Sequence, residues 1–192
     1  MAFAIELALD QESAAPVRAL WRRLAEAGAR FMADSGADPH VSLVIWDELD
    51  VERAAVEIAA LAGETAPVPV SFTHVSAFGA EVVYLALAPS ARLLALQARV
   101  DVRLAPHGHA RWPHYAPAAW VPHCTLAMDL GSVGRGTLAG FPSTPPAAAL
   151  ALAAELALPL AARLERVGIV EFRPVRERFS RPLTGAAGAP RP

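Results

Sequence analysis

Apolar and polar residues alternate along six short segments of the chain, and alternation with a period of two predicts β-strands. The predicted strands cover residues 3–9, 40–46, 68–76, 81–88, 121–130 and 160–172. Four of the intervening segments carry apolar residues at intervals of three and four, which predicts amphipathic helices. The pattern therefore predicts an α+β protein.

Each predicted helix begins at a residue whose side chain can accept a hydrogen bond from the first turn. The four capping residues are Ser13, Asp50, Ser90 and Thr144. The apolar positions predicted to face the core are Val17, Leu20, Trp21, Leu24 and Phe31 in the first helix, Val51, Ala54, Ala55, Ile58 and Leu61 in the second, and Leu93, Leu94 and Val100 in the third. Gly63 is predicted to end the second helix.

The order strand, helix, strand, helix, strand occurs twice, in residues 1–78 and again in residues 79–183. This repetition predicts one domain over residues 1–183 with two pseudo-symmetric lobes, each an antiparallel sheet with helices packed on its outer side, around a central cleft. Strands can be exchanged between the lobes. Residues 184–192 are rich in Gly, Ala and Pro and are predicted to form a disordered tail.

Two strings of the form Pro-His-x-(Ser or Thr)-Leu lie at equivalent places in the two halves, at residues 39–43 and 122–126. Shorter parts of the string also occur at His74, His107 and His114, so only the full string is specific. Each histidine opens a predicted strand, and alternation then puts the histidine and the hydroxyl residue on one face. The residues predicted for this face are His40, Ser42, His123, Thr125 and Asp129.

The strings Pro39-His40-Val41-Ser42-Leu43 and Pro122-His123-Cys124-Thr125-Leu126 resemble the paired motifs of the 2H phosphoesterases, including the bacterial 2'-5' RNA ligase-like proteins. The similarity covers about residues 3–183, with looser matches at residues 115–127 and 163–174. Ser42 stands where many members of that family carry Thr. This difference keeps the hydroxyl group and removes a methyl group.

The resemblance implies a metal-independent enzyme without a cofactor that hydrolyses a 2',3'-cyclic or 2'-5' phosphodiester of an RNA 3' end or a small nucleotide. His40 and His123 would be the catalytic acid and base, in an order that the sequence leaves open. Ser42 and Thr125 would bind phosphoryl oxygens. The alternatives are the reverse reaction, which joins RNA ends, a non-catalytic module that binds RNA ends or nucleotides, and, with less support, a metal-dependent hydrolase.

Residues 106–115, immediately before the second string, are a second candidate region. Arg111 is predicted to meet a phosphate, and Trp112 or Tyr115 to stack on a base. A solvated, proline-rich loop is an equally good interpretation. Three histidines also lie there, His107, His109 and His114, but no acidic or cysteine partner is near them, so a metal site is the weaker interpretation.

Other polar residues are interpreted as structural. Cys124 falls on the apolar face of its strand and is predicted to be a buried small residue rather than a nucleophile. His74 is predicted to be a strand residue at the lobe interface without a repeat partner. The arginines of the C-terminal segment are predicted to form ion pairs along the strands with Glu165, Glu171 and Glu177. These arginines are Arg163, Arg166, Arg173, Arg176, Arg178 and Arg181.

Composition and charge limit the kinds of binding partner and the cellular location that we expect. A net charge of -2 lacks the basic surface that a protein needs to bind long duplex nucleic acid. The single cysteine excludes an internal disulfide, and the acidic N-terminal segment is unlike a signal peptide, so the cytoplasm is expected. Residues 145–162 are apolar but contain three prolines and Glu155, which disfavours a membrane span. A monomer is expected.

Overall fold

The computed structural model describes residues 1–128, 146–172 and 174–186. Its helices are α1 (Gln11–Glu26), α2 (Phe31–Asp34), α3 (Val51–Glu64), α4 (Ala91–Leu104) and α5 (Pro146–Ala153). Its strands are β1 (Ala2–Leu9), β2 (His40–Leu49), β3 (Val68–Phe78), β4 (Val82–Leu87), β5 (Gly108–Arg111), β6 (His123–Ala127), β7 (Leu160–Phe172) and β8 (Arg176–Pro182). The predicted α+β class is confirmed.

The strands form one antiparallel ladder in the order β5-β2-β1-β7-β3-β4-β6, and β8 also pairs with β7. β7 is 13 residues long and serves both halves. Its first residues, 160–164, pair with β3, whereas residues 164–172 pair with β1. The two predicted sheets are therefore two parts of a single sheet, which we call wings. They are joined because β7 is long enough to pair with strands of both.

The strands are exchanged between the halves. β1, the first strand of the N-terminal half, pairs with β7, the last long strand of the C-terminal half. Conversely, β4 pairs with β3, so the last strand of the N-terminal half completes the other wing. The motif strands β2 and β6 then occupy matching places beside β1 and β4. Neither half can complete its sheet alone.

One hydrophobic core contains residues of all the long helices and of both wings. α1 contributes Val17, Leu20 and Leu24, which are buried as predicted. α4 contributes Leu93 and Val100, but Leu94 is 44% exposed, because it lies one position beyond the buried stripe of the helix. Phe31 begins the separate helix α2 and does not extend α1.

The helix caps mostly follow the prediction. Asp50 caps α3 by accepting from Arg53 N, and Ser90 caps α4 by accepting from Leu93 N. The prediction for α1 was wrong by three residues, because Asp10 is the cap and accepts a hydrogen bond from Ser13 N. The Asp10 side chain stands at the strand end, within reach of the first turn. Thr144 lies outside the described residues.

Two residues of the predicted tail, Thr184 and Gly185, are hydrogen-bonded to the rest of the domain. Thr184 N donates to Ala62 O at 2.9 Å, and Gly185 N donates to Thr65 O at 3.0 Å, so both residues pair with the end of α3. A side chain at residue 185 would collide with that helix, since its Cβ would stand 2.4 Å from Thr65 N. Residues 187–192 lie outside the described residues. Among the described helices, none has the length and apolar character needed to cross a membrane.

Candidate active site

Alternation buries one side of each motif strand. The fully buried residues are Val41, Leu43, Cys124 and Leu126. The half-buried residues between them are His40, Ser42, His123 and Thr125. The structure thus has the two faces that the sequence predicts, with both histidines and both hydroxyl groups on the less buried face. Asp129 lies outside the described residues.

Cross-strand pairing extends the first motif into two rows on that same face, because directly paired residues project to the same side of a sheet. The rows run from β2 through β1 to β7. They contain His40, Ala8 and Arg166, and then Ser42, Glu6 and Gly168. We refer to these six residues as the His40 half-site.

The second motif has two matching rows that run from β6 through β4 to β3. They contain His123, Ala86 and His74, and then Thr125, Tyr84 and Ser76. We refer to these six residues as the His123 half-site. The prediction that His74 has no repeat partner was wrong, because Arg166 occupies the equivalent position. The register of paired strands creates this match, and chain spacing alone does not reveal it.

Two indole groups tie the motif strands to their surroundings. Trp120 Nε1 donates to Ser42 O at 3.0 Å, and Trp21 Nε1 donates to Thr125 O at 3.0 Å. Trp120 precedes the second motif along the chain but donates its hydrogen bond to the first motif. This bond therefore joins β2 to the segment that leads into β6. The two histidines are close enough for the charge of His40 to act on His123.

His40 has two polar partners. Its Nδ1 lies 2.6 Å from Asp38 O, and its Nε2 lies 3.3 Å from Glu6 Oε1. A carbonyl oxygen only accepts, so Nδ1 carries a hydrogen atom and Nε2 is the atom available for proton transfer. Burial raises the pKa of Glu6, whereas the charges of His40 and Arg166 lower it. Burial is the largest of these effects, so the Glu6 carboxyl group holds a proton at higher pH than an exposed glutamate.

His123 has the same backbone anchor but different neighbours. Its Nδ1 lies 2.7 Å from Val121 O, which again leaves Nε2 available. The rings of Phe78 and Tyr84 meet the imidazole edge-on, with centroids 5.0 and 5.2 Å away. Burial lowers the pKa of His123, the Val121 carbonyl opposes this effect, and the charge of His40 lowers the pKa further. His123 is thus biased toward the neutral form.

Tyr115 is the one member of the second candidate region that reaches the site. Its hydroxyl group lies near enough to the Ser42 side chain for Ser42 to lower the pKa of the phenol. Burial raises the pKa of Tyr115 to about 12, and the charge of Glu6 contributes to the increase. The phenol therefore stays protonated near neutral pH and can donate a hydrogen bond beside Ser42.

Arg111 and Trp112, by contrast, are not brought to the histidines. Arg111 pairs with Trp46 in the ladder, six residues along β2 from His40, which is about 20 Å away. Its guanidinium group is bound by Asp101, and Trp112 Nε1 donates to Asp47 at 2.8 Å. Both side chains have protein partners and lie away from the two histidines. Residues 108–111 form the edge strand β5.

The structural interpretation holds for Cys124 and for three of the C-terminal arginines. Cys124 is fully buried, and this burial raises the pKa of its thiol to about 12, which disfavours a nucleophilic thiolate. The ion pairs of the C-terminal strands are Arg163 with Glu165, Arg166 with Glu177, and Arg178 with Glu171. Arg173 lies outside the described residues. Within the described ranges, no three His, Cys, Asp or Glu side chains cluster as a metal site.

Sequence reasoning missed the residues beside each histidine. Glu6 is a single carboxylate within the apolar strand β1, and an isolated acid in such a strand is the signal that could have marked it. Its link to His40 depends on pairing between strands that are more than thirty residues apart. Phe78 and Tyr84 looked like ordinary strand residues. The pairing of β3 with β4, which stacks their rings 4.1 Å apart, reveals their position.

The family model of the 2'-5' RNA ligase superfamily matches residues 9–175 of the chain. No curated protein sequence matches the chain. The chain is similar to a crystal structure described as a phosphoesterase, with a TM-score of 0.60 and 17% identity over 95% of this chain and 97% of that one.

Two further structures share the fold. Escherichia coli LigT, crystallised with NADP+, has a TM-score of 0.58 and 17% identity, over 95% of this chain and 97% of LigT. The protein TT0787 of Thermus thermophilus has a TM-score of 0.55 and 18% identity, over 96% of this chain and 99% of that one. The open antiparallel sheet with its helices is thus a fold with counterparts among solved structures.

Proposed function

The chain belongs to the 2'-5' RNA ligase superfamily, the 2H phosphoesterases, and from this membership we propose that it hydrolyses a 2',3'-cyclic or 2'-5' phosphodiester of an RNA 3' end or a small nucleotide. The observation that carries the proposal is the pair of matching half-sites. Each presents an imidazole whose Nδ1 is held by a backbone carbonyl and whose Nε2 is available. Two such groups can supply an acid and a base to one phosphorus atom.

We assign the base role to His123. A general base must be neutral before the reaction, and burial among aromatic rings lowers the pKa of His123. Its activity would be lost as the pH falls through this lowered pKa, where the ring becomes protonated. Because the pKa lies below the usual histidine value, the base would remain competent in mildly acidic solution.

We assign the acid role to His40. Glu6 Oε1 lies 3.3 Å from His40 Nε2, so a carboxyl group whose pKa is raised by burial stands beside the nitrogen that would deliver the proton. Glu6 acts through His40 and is a positioning residue for the proton. The equivalent position in the His123 half-site holds Tyr84, a phenol in place of a carboxyl group.

With these roles, hydrolysis of a cyclic phosphodiester proceeds by one displacement. His123 Nε2 takes a proton from water, and the water oxygen forms a new bond to phosphorus. The bond between phosphorus and one ribose oxygen breaks on the opposite side. That oxygen receives the proton from His40 Nε2, which leaves a nucleoside monophosphate. A second proton exchange with solvent returns both histidines to their starting forms.

The hydroxyl groups of Ser42 and Thr125 would bind the non-bridging phosphoryl oxygens. Each shares a face with its histidine, two residues along the same strand. Tyr115 adds a third hydroxyl beside Ser42. Hydrogen-bond donors fixed in advance stabilise the charge that develops on these oxygens in the transition state. The proposed reaction draws on these side chains and on water.

LigT, which shares the fold, has been crystallised with NADP+, with ATP and with 3'-AMP. The ligands of that protein support a nucleotide as the substrate class of this chain. They do not distinguish hydrolysis from end joining, which uses the same groups in the reverse direction.

The test is turnover of a short RNA that ends in a 2',3'-cyclic phosphate, in the presence of EDTA. The parent protein should hydrolyse it, and His40→Ala and His123→Ala should each reduce kcat by about 100-fold or more. His109→Ala, at an exposed histidine of β5, is the matched control and should keep the parent rate. Full turnover in either active-site variant would contradict the two-histidine mechanism. Tight binding without turnover would instead support a binding module.

A further inference from the structure

A cavity adjoins His40 on the face that carries both rows of the His40 half-site. Its floor includes Ala8, and its walls include His40 and Glu6 on one side and Arg166 and Glu177 on the other. Among the described residues, those lining it come from β1, from the start of β2 and the segment before it, and from β7, β8 and the turn between them. None belongs to the His123 half-site. The cavity therefore extends from His40 away from His123.

Small residues keep this space open. Ala8 lies between His40 and Arg166 in the first row, and these two residues are two strand spacings apart, about 10 Å. Gly168 occupies the next row beside Glu6, where a Cβ atom would stand 3.2 Å from Phe179 O and 4.0 Å from Glu177 Oε2. Ala37 also lines the cavity.

We propose that this cavity is the subsite for the nucleoside whose ribose oxygen is displaced from phosphorus, and that the nucleoside binds there through its ribose. The inference rests on the proposed function. In an in-line displacement the leaving oxygen departs opposite the attacking water. If His123 activates the water, the ribose oxygen that leaves phosphorus lies on the His40 side. The cavity provides space on that side, in contact with the group that protonates the ribose oxygen.

The charges of the walls define the ligand further. Arg166 is bound by both Asp38 and Glu177, and Asp38 is also bound by Arg18. The guanidinium group is therefore already neutralised and is not free to bind a second phosphate. Glu6, Asp38 and Glu177 present carboxylate oxygens, which accept hydrogen bonds from hydroxyl and amino groups. The subsite fits a nucleoside with free hydroxyl groups and disfavours one that carries a further phosphate.

The subsite is tested by filling it. Ala37→Leu adds bulk at the rim, and Ala8→Val adds bulk at the floor with a residue suited to a strand. Binding of adenosine 3'-monophosphate and of inorganic phosphate is measured for each protein by calorimetry. Both variants should weaken nucleotide binding about tenfold or more and change phosphate binding less than about twofold. Ala154→Leu, at an exposed residue after α5, should change neither.

Retained phosphate binding shows that a variant is folded and that its phosphoryl site is intact. Parent-like nucleotide affinity in both variants would overturn the proposal, and so would equal losses for nucleotide and phosphate. Adenosine 3',5'-bisphosphate should bind the parent more weakly than the 3'-monophosphate, and tighter binding would contradict the charge argument. Because these are binding measurements, their failure is separate from that of the proposed function, which would show as absent turnover by the parent.

Discussion

The two half-sites have the same backbone arrangement and differ in the side chains that the neighbouring strands supply. In both, a histidine opens a motif strand, its Nδ1 faces a backbone carbonyl, and a hydroxyl residue follows two positions later. Beside the hydroxyl residue, β1 places Glu6 next to Ser42, whereas β4 places Tyr84 next to Thr125. One histidine thus lies against a carboxylate and the other against aromatic rings.

This difference teaches how a repeated structure can perform an asymmetric reaction. A proton donor and a proton acceptor need opposite protonation states at the same pH. Matching motifs alone would give two equal imidazoles. The neighbouring strand distinguishes them, because Glu6 lies 3.3 Å from His40 Nε2, whereas burial lowers the pKa of His123. The asymmetry therefore resides outside the motifs, at the adjacent positions of β1 and β4.

The two hydroxyl groups should be unequal, because Ser42 has Tyr115 beside it. Thr125→Val removes a hydroxyl for which no such neighbour is seen among the described residues, and should lower kcat/KM by about 100-fold. Ser42→Ala leaves the Tyr115 hydroxyl in place and should cost about tenfold. Steady-state kinetics on a nucleoside 2',3'-cyclic phosphate measure both. Thr125→Ser should retain most activity, and equal losses for the two truncations would remove this distinction.

Glu6→Gln removes the carboxyl group that lies beside His40 Nε2. We expect kcat to fall about tenfold with KM nearly unchanged, since His40 loses the group that positions its proton. The ascending limb of the pH–rate profile, set by deprotonation of His123, should stay nearly unchanged. The profile is recorded over the stable pH range of each protein.

Other charged groups near His40 are Asp38 before β2, Arg166 on β7, Glu177 on β8 and His123 on β6. They remain in place in Glu6→Gln, so the fall in kcat reports the loss of Glu6. Glu6→Asp keeps a carboxyl group and should restore part of kcat. Glu52→Gln, at an exposed carboxylate of α3, is the control. A parent-like kcat in Glu6→Gln would remove Glu6 from the account.

The smallest effects on catalysis should come from the indole groups, which support the two strands alike. Trp120→Phe leaves the Ser42 carbonyl without its donor and should lower the free energy of unfolding by roughly 1–3 kcal/mol. Trp21→Phe does the same to the Thr125 carbonyl and should cost a similar amount. Urea denaturation measures both. A loss under about 0.5 kcal/mol in both variants would show that these bonds are not structural supports.

Short-range patterns predicted much of the fold. The alternation in residues 160–172 predicted β7 with its observed bounds, and Asp50 and Ser90 marked their helix starts correctly. β5 and β8 were missed because they are short or exposed edge segments rich in polar residues, which lack an apolar face. Local patterns also could not show that one strand joins both wings, since sheet order depends on long-range pairing.

The sequence likewise predicted only part of the candidate site. The repeated string indicated His40, Ser42, His123 and Thr125, because their relation lies within single strands. Glu6 and the match between His74 and Arg166 required the register of separate strands. Arg111 and Trp112 were placed at the substrate only because they precede the second motif along the chain. In the structure the pairing of β5 with β2 carries them to the opposite end of the strand.

The division of labour between His40 and His123 is tested most directly by changing the leaving group. A nucleoside 2',3'-cyclic phosphate needs a proton on its leaving ribose oxygen, whereas thymidine 3'-(4-nitrophenyl phosphate) releases a phenolate that needs none. His40→Ala should lose about 100-fold in kcat on the cyclic substrate and less than about tenfold on the aryl ester, while His123→Ala should lose about 100-fold on both. The opposite pattern, with His123→Ala spared on the aryl ester and His40→Ala impaired on both, would contradict the account.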